Sequence, residues 1–249
     1  MDFYAFLPSN ASPTVYPDNK TSHFKIELSK RMDLHGQWQA GLIELHYPNS
    51  IAQVLEGENE IILQTDQVTD IVQVKPGHYR TKIDFLTAVR DAALSLGNLF
   101  NQHDPLIETD DQRLVFQPIS DKGKIFFSPR LALQLGLDNH GPFPSHKKIY
   151  GVKPVDITLG VPPQLFVYLD VLEEQIVGHT RAPLLRSVPV NTNASFGSMS
   201  IYHCEHPIYF DLNTKSFDTL EIDIRDHAGR YVPFEFGTST LLVHFRKRS

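Results

Sequence analysis

Apolar and polar residues alternate along much of this chain, and the alternation marks strands. In "SHFKIEL", Phe24, Ile26 and Leu28 share one face while His23, Lys25 and Glu27 take the other, the period of a half-buried strand. "TLEIDIRD" splits as sharply, with Leu220, Ile222 and Ile224 inward and Glu221, Asp223 and Arg225 outward. "QWQAGLIELHYP" starts with Trp38, Ala40 and Leu42 on one parity and continues with Ile43, Leu45 and Tyr47 on the other. Gly41 stands near that change and predicts a bulge or a close approach of backbones. "ENEIILQT" and "DIVQV" read as a hairpin or as consecutive strands. From Val152 onward strands return as "QLFVYLDVL", "LLRSVPV", "PIYFDL" and "TLLVHFR". In the first of these, Leu165, Val167, Leu169 and Val171 oppose Phe166 and Tyr168, so both faces begin apolar, as in a central or interface strand.

Between the two runs of strands the texture changes. "TKIDFLTAVRDAALSLGN" predicts a helix: Thr81 and Asp84 have capping-box spacing, and Ile83, Leu86, Val89, Ala93 and Leu96 form an apolar stripe. Gly97 is placed to end it. "QRLVFQPISDKGKIFFS" predicts a β-hairpin around Asp121, Lys122 and Gly123, and "PRLALQLGL" a short helix opened by Pro129. Residues 1–22 are rich in Pro, Ser and Asn yet carry Phe3, Tyr4, Phe6 and Leu7, which predicts an arm packed on its own sheet or on a neighbour. The helices sit in one stretch rather than alternating with strands, which argues against a parallel Rossmann-type sheet. Roughly eight strands in two groups fit a double-sheet sandwich, the jelly roll being one option that periodicity alone does not select. The expected division is a core of 1–75 and 152–249 with an inserted α+β subdomain at 76–151.

Bulk properties narrow the function. The chain has 249 residues, 41% hydrophobic and 21% charged, the balance of a core-forming globular protein. A net charge of −6 argues against a protein built to grip nucleic acid. The single cysteine, Cys204, excludes an intrachain disulfide. The opening "MDFYAFLPSN" lacks the basic and apolar regions of a signal peptide, no apolar run reaches the length of a membrane span, and synthesis inside a reducing cell is expected. On that reading the sequons at Asn10, Asn19 and Asn193 are chance occurrences.

The search for chemistry is largely negative. "HCEH", His203 to His206, offers four competent metal ligands, but neighbours on an extended chain point to opposite faces, so a polar loop is the plainer reading. Asp110-Asp111 and Glu173-Glu174 are adjacent acids, not the separated carboxylates that glycoside cleavage needs. There is no G-x-S-x-G elbow, no P-loop and no G-x-G-x-x-G, so neither a catalytic residue nor a cofactor site is assigned. The basic end Arg246, Lys247 and Arg248 reads as a solvated terminus.

Three blocks resemble a known family. "FYAFLPSNASPTVYPDNKTSHFKIELSKRMDLHGQWQAGLIELHYP" is similar to the opening of the minor capsid proteins of Polinton (Maverick) and adintovirus-like elements, through Ser9, Asn10, Ser12, Pro17, Asn19, Phe24, Leu28, Gly36, Trp38, Gly41, Leu42, Glu44, Tyr47 and Pro48. "LFVYLDVLEEQIVGHTRAPLLRSVPV" and "VPFEFGTSTLLVHFR" resemble two later blocks of that family. The likeness thins through 76–151, and His179 stands where the family pattern has an acidic residue.

The resemblance implies a penton-type protein. Its fold would be a single jelly-roll β-sandwich with an inserted α+β subdomain, and its role that of a homopentamer at the fivefold vertices of an icosahedral, virus-like shell. It would stand beside a double-jelly-roll major capsid protein in the virion, after synthesis in host cytoplasm or nucleus, with no enzymatic activity, cofactor, metal or specific nucleic-acid partner. Phe3, Tyr4, Phe6, Leu7, Phe166 and Tyr168 are then the expected subunit contacts, and the insert is expected to face outward or toward a neighbour. Two other classes stay open: a carbohydrate- or receptor-binding attachment module, which needs an aromatic and polar pocket, and a cupin-type enzyme, which needs His and Glu ligands converging inside the barrel.

Overall fold

The structure is a computed structural model, described here for residues 2–96, 106–108, 113–117 and 123–248. It divides into two units, Met1–Ile51 with Pro162–Ser249, and Ala52–Val161. The first unit opens with β1 (Asp2–Pro8), β2 (His23–Asp33) and β3 (Trp38–Pro48). The second holds β4 (Glu60–Gln64), β5 (Thr69–Gln73), α1 (Lys82–Leu94), β6 (Leu106–Glu108), β7 (Arg113–Phe116), β8 (Lys124–Phe127), α2 (Pro129–Gln134), β9 (Phe143–Pro144) and β10 (Ile149–Pro154). The first unit then resumes with β11 (Gln164–Leu169), β12 (Gln175–Val177), β13 (Thr180–Ala182), β14 (Leu184–Pro189), β15 (Met199–His203), β16 (Phe210–Asp211), β17 (Ser216–Arg225) and β18 (Thr240–Lys247).

Two antiparallel sheets build the first unit. One runs β1-β18-β3-β15 with β16 also on β3, and the other runs β14-β11-β17-β2. β15 and β16 pair with successive parts of β3 and act as one interrupted strand. With the β12–β13 hairpin set aside, the eight strands in chain order stand 1-8-3-6 in the first sheet and 5-4-7-2 in the second. The first pairs with the eighth, the second with the seventh, the third with the sixth and the fourth with the fifth. A long hairpin rolled up in this way is a single jelly roll. Its interior is made by the inward parity of each strand: Leu7, Phe24, Ile26, Leu42, Leu45, Leu165, Val167, Leu220, Ile222, Ile224, Leu241, Val243 and Phe245 are all buried. Each such side chain contributes about 1.5–3 kcal/mol by leaving water.

The parity change in β3 has a specific cause. Leu242 pairs with Glu44 but Val243 pairs with Leu42, so Ile43 is an extra residue, a bulge that returns Leu45 and Tyr47 to the core side. The bulged carbonyl is used: Cys204 N–H donates to Ile43 O at 2.8 Å. Gly41 makes the close approach, because a Cβ there would meet Ile208 O at 2.7 Å. Ile208 lies in the break between β15 and β16, so "PIYFDL" supplies only the two strand residues of β16.

The second unit packs α1 and α2 with two sheets, β5-β4-β8-β9 and β10-β7-β6. Phe85, Val89, Ala93, Ile61, Leu63, Phe116, Phe127 and Leu131 share its core. Thr81 and Asp84 form the expected capping box in both directions.

The second unit, Ala52–Val161, includes β4 and β5, and β4 pairs with β5 on one side and β8 on the other. Alternation reports that Ile61 and Leu63 are buried, not against which sheet. The expected hairpin across 112–128 does not form from its strands: β7 pairs with β6 and β10, and β8 with β4 and β9. An isolated two-stranded hairpin has little stability, so the larger sheets decide where each strand goes. Ile83 is 70% exposed, and Phe85 takes its place on the buried stripe of α1. Gly97, Asp110, Asp111, Asp121 and Lys122 lie outside the described residues.

Candidate functional site

The outward face of the first sheet is where an exposed apolar surface gathers. Register places Phe6 beside Leu242, Glu44 and His203 in one row, and Tyr4 beside His244 and Gly41 in the next. Tyr4 and Phe6 are 59% and 70% exposed, and at the opposite edge Met199 and Ile201 are 51% and 63% exposed. Single exposed apolar residues need no explanation, but several on one sheet face mark a candidate interface. β1 is also a free edge whose one charge is Asp2, whereas the edge strand β2 carries Lys30 and Arg31.

Polar side chains stiffen that face. Tyr4 stacks on His244 at 4.5 Å, and His244 shares hydrogen bonds with Tyr209 Oη at 2.8 Å and Asp2 Oδ2 at 3.2 Å. The Arg246 guanidinium lies 3.5 Å over the Tyr209 ring. Glu44 accepts hydrogen bonds from His46 Nε2 at 3.0 Å and His203 Nδ1 at 3.1 Å, and these bonds hold its carboxyl below the ordinary glutamate range. The basic terminus is engaged as well, with Arg248 Nη1 2.9 Å from Asp211 Oδ2.

The six expected contact residues do not converge on one surface. Tyr4 and Phe6 point out from β1. Phe3 points in and stacks on Phe245 at 4.9 Å. Leu7 is 2% exposed, so its surface is already buried within its own chain. Phe166 and Tyr168 lie half-buried on the outward face of the second sheet, opposite Arg225 and Asp223. Pattern reading missed Met199, Ile201 and Ile208, the last 52% exposed, because short edge segments show no clear alternation.

Potential metal ligands gather away from "HCEH". In "HCEH", Cys204 is buried and His203 is engaged by Glu44, and the segment holds no converging set of ligands. Among the described residues, His23, Glu221 and Asp223 are the group whose donor atoms lie within 4.8 Å of one another. All three sit on the outward face of the second sheet, because His23 lies opposite Asp223 across the β2–β17 ladder. Elsewhere in the first unit, Leu34, Gly36, Gln37, Trp38, Glu173, Asp211, Leu212, Thr214 and Lys215 line a pocket of about 180 Å³. The Trp38 indole N–H donates to His35 O there. Among the described residues, no helix is long and apolar enough to cross a membrane.

The fold defines a single jelly roll carrying a large insert between its third and fourth strands. No protein-family model and no curated protein matches the chain. Among solved structures, the selenomethionine-labelled mavirus penton protein aligns over 100% of this chain and 100% of its own, at 11% identity and a TM-score of 0.48. A chain of the Sputnik virophage, determined by cryo-EM, aligns over 99% of this chain and 98% of its own, at 11% identity and a TM-score of 0.46. Both scores lie below one half, so neither likeness bears on what this chain does.

Proposed function

We propose that this chain is a structural minor capsid protein of the penton type, forming homopentamers at the fivefold vertices of an icosahedral shell beside a double-jelly-roll major capsid protein. The observation that carries the reading is the single jelly roll whose first sheet turns Tyr4, Phe6, Met199 and Ile201 outward at its two edges. Jelly rolls recur in viral capsids, and the three family-like sequence blocks fall in the jelly-roll unit. A closed ring needs two different patches per subunit, each facing the other kind on its neighbour. The edge at β1 and the edge at β15 supply two such patches on opposite sides of one sheet. Tyr4 and Phe6 are the contact residues we assign most directly, with Phe166 and Tyr168 as a further patch on the other sheet.

Native mass spectrometry of the purified protein, with particle imaging in the presence of the major capsid protein, tests the reading. Five copies of the 28.3 kDa chain per ring support it. A monomer at every concentration, with and without the partner, refutes it. The pocket beside Trp38 favours a second reading, a saccharide-attachment role, because it joins an aromatic side chain to the polar groups of Glu173, Gln37 and Lys215. A glycan array on the isolated protein tests that reading separately.

A further inference from the structure

We propose that His23, Glu221 and Asp223 bind a divalent transition-metal ion of the zinc class on the outward face of the second sheet. The site stands whether or not the chain assembles into rings.

The ladder brings the ligands together. His23 pairs with Asp223 and Lys25 with Glu221 across β2 and β17, and the period of two puts all four side chains on one face. His23 Nδ1 is 2.6 Å from Asp223 Oδ1 and 3.8 Å from Glu221 Oε1. Zinc bonds of about 2.0–2.2 Å to nitrogen and oxygen place tetrahedral donors roughly 3.3 Å apart. One separation is shorter than that and the other longer, so modest side-chain rotations admit the ion. One imidazole and two carboxylates suit a borderline metal rather than calcium or magnesium, which prefer all-oxygen shells.

The neighbouring cations do not occupy the ligand atoms. Lys25 Nζ holds the far oxygen of Glu221, Oε2, at 2.9 Å. Arg225 Nε and Nη2 hold the far oxygen of Asp223, Oδ2, at 3.0 and 2.6 Å. Both near oxygens, Oε1 and Oδ1, are thereby turned toward the imidazole. Groups that grip the back of a ligand in this way orient it for a metal. The Tyr231 ring, 4.9 Å from the His23 ring, fixes the imidazole plane, and Arg225 in turn lies 4.5 Å over Tyr231. Charge also favours a cation. Asp170 Oδ1 accepts from Glu221 N–H at 3.0 Å, so three carboxylates face the two cations Lys25 and Arg225.

The test is isothermal titration of ZnCl2 into chelator-treated full-length protein. One ion per chain is expected, with affinity lost at least tenfold in His23→Ala. Lys25→Met guards against simple misfolding, since it keeps an aliphatic stem and removes only the charge that holds Glu221 Oε2. It is expected to weaken zinc binding by about tenfold, because Glu221 loses the group that orients it. Absence of one-to-one binding, binding that survives His23→Ala, or affinity unchanged in Lys25→Met overturns the proposal.

Discussion

Replacing Gly41 with alanine probes the contact between the third jelly-roll strand and the break in the sixth. The new Cβ would lie 2.7 Å from Ile208 O and 3.1 and 3.2 Å from two carbons of the Tyr209 ring. The first is a backbone atom, which cannot swing aside as the end of a flexible side chain can. Either β3 bends or the segment between β15 and β16 moves outward. Outward movement strains the Tyr209–His244 hydrogen bond of 2.8 Å and the seat of Arg246 on the Tyr209 ring. Overpacking costs about 1–3 kcal/mol, and the hydrogen bond and cation–π contact about 1 kcal/mol each if wholly lost. Partial relaxation leaves an expected loss of about 2 kcal/mol, or about 4–8 °C in melting temperature for a protein of this size. Scanning calorimetry of Gly41→Ala and of Gly41→Ala with Tyr209→Ala provides the reading. The double variant is expected to stay destabilised, because the carbonyl remains in the way. A single variant that melts with the unmodified protein would refute the close approach.

Other outcomes follow from the same geometry. Tyr4→Ser and Phe6→Ser are expected to change folded stability by no more than about 0.5 kcal/mol, since both side chains are exposed, yet to abolish the proposed pentamer by native mass. Asp170 has a folded pKa above its ordinary value, so its ionised form opposes folding, and that cost is relieved as pH falls through the folded pKa. Asp170→Asn keeps the acceptor for Glu221 N–H and is expected to raise the melting temperature at neutral pH, with the gain shrinking on acidification. Glu44 has the opposite sign: its support is present above the ordinary value of 4.5 and is lost as pH falls through its lower folded pKa. Glu44→Gln is therefore expected to flatten part of the acid limb of a stability–pH curve. Thr81→Ala is expected to cost about 1 kcal/mol and to speed amide exchange in the first turn of α1, read by hydrogen exchange.

Local periodicity made the strands of the jelly roll legible: the inward and outward sets of β2, β11 and β17 match the alternation of apolar residues because side-chain direction repeats every two residues along any strand. The helix cap at Thr81 was legible because it depends on near neighbours, and Gly41 marked a close approach of backbones without naming Ile208 as its partner. Pairing was not, because this roll joins its first strand to its last, Asp2 to Arg246, and nothing in a periodic pattern names a partner so distant in the chain. That is why β7 and β8 were expected in one hairpin and instead join different sheets. The candidate metal site shows the same divide. Sequence alone turned His23 and the pair Glu221 and Asp223 outward on two separate strands, but their convergence came only with the register of β2 on β17, which long-range burial of the opposite, apolar faces selects.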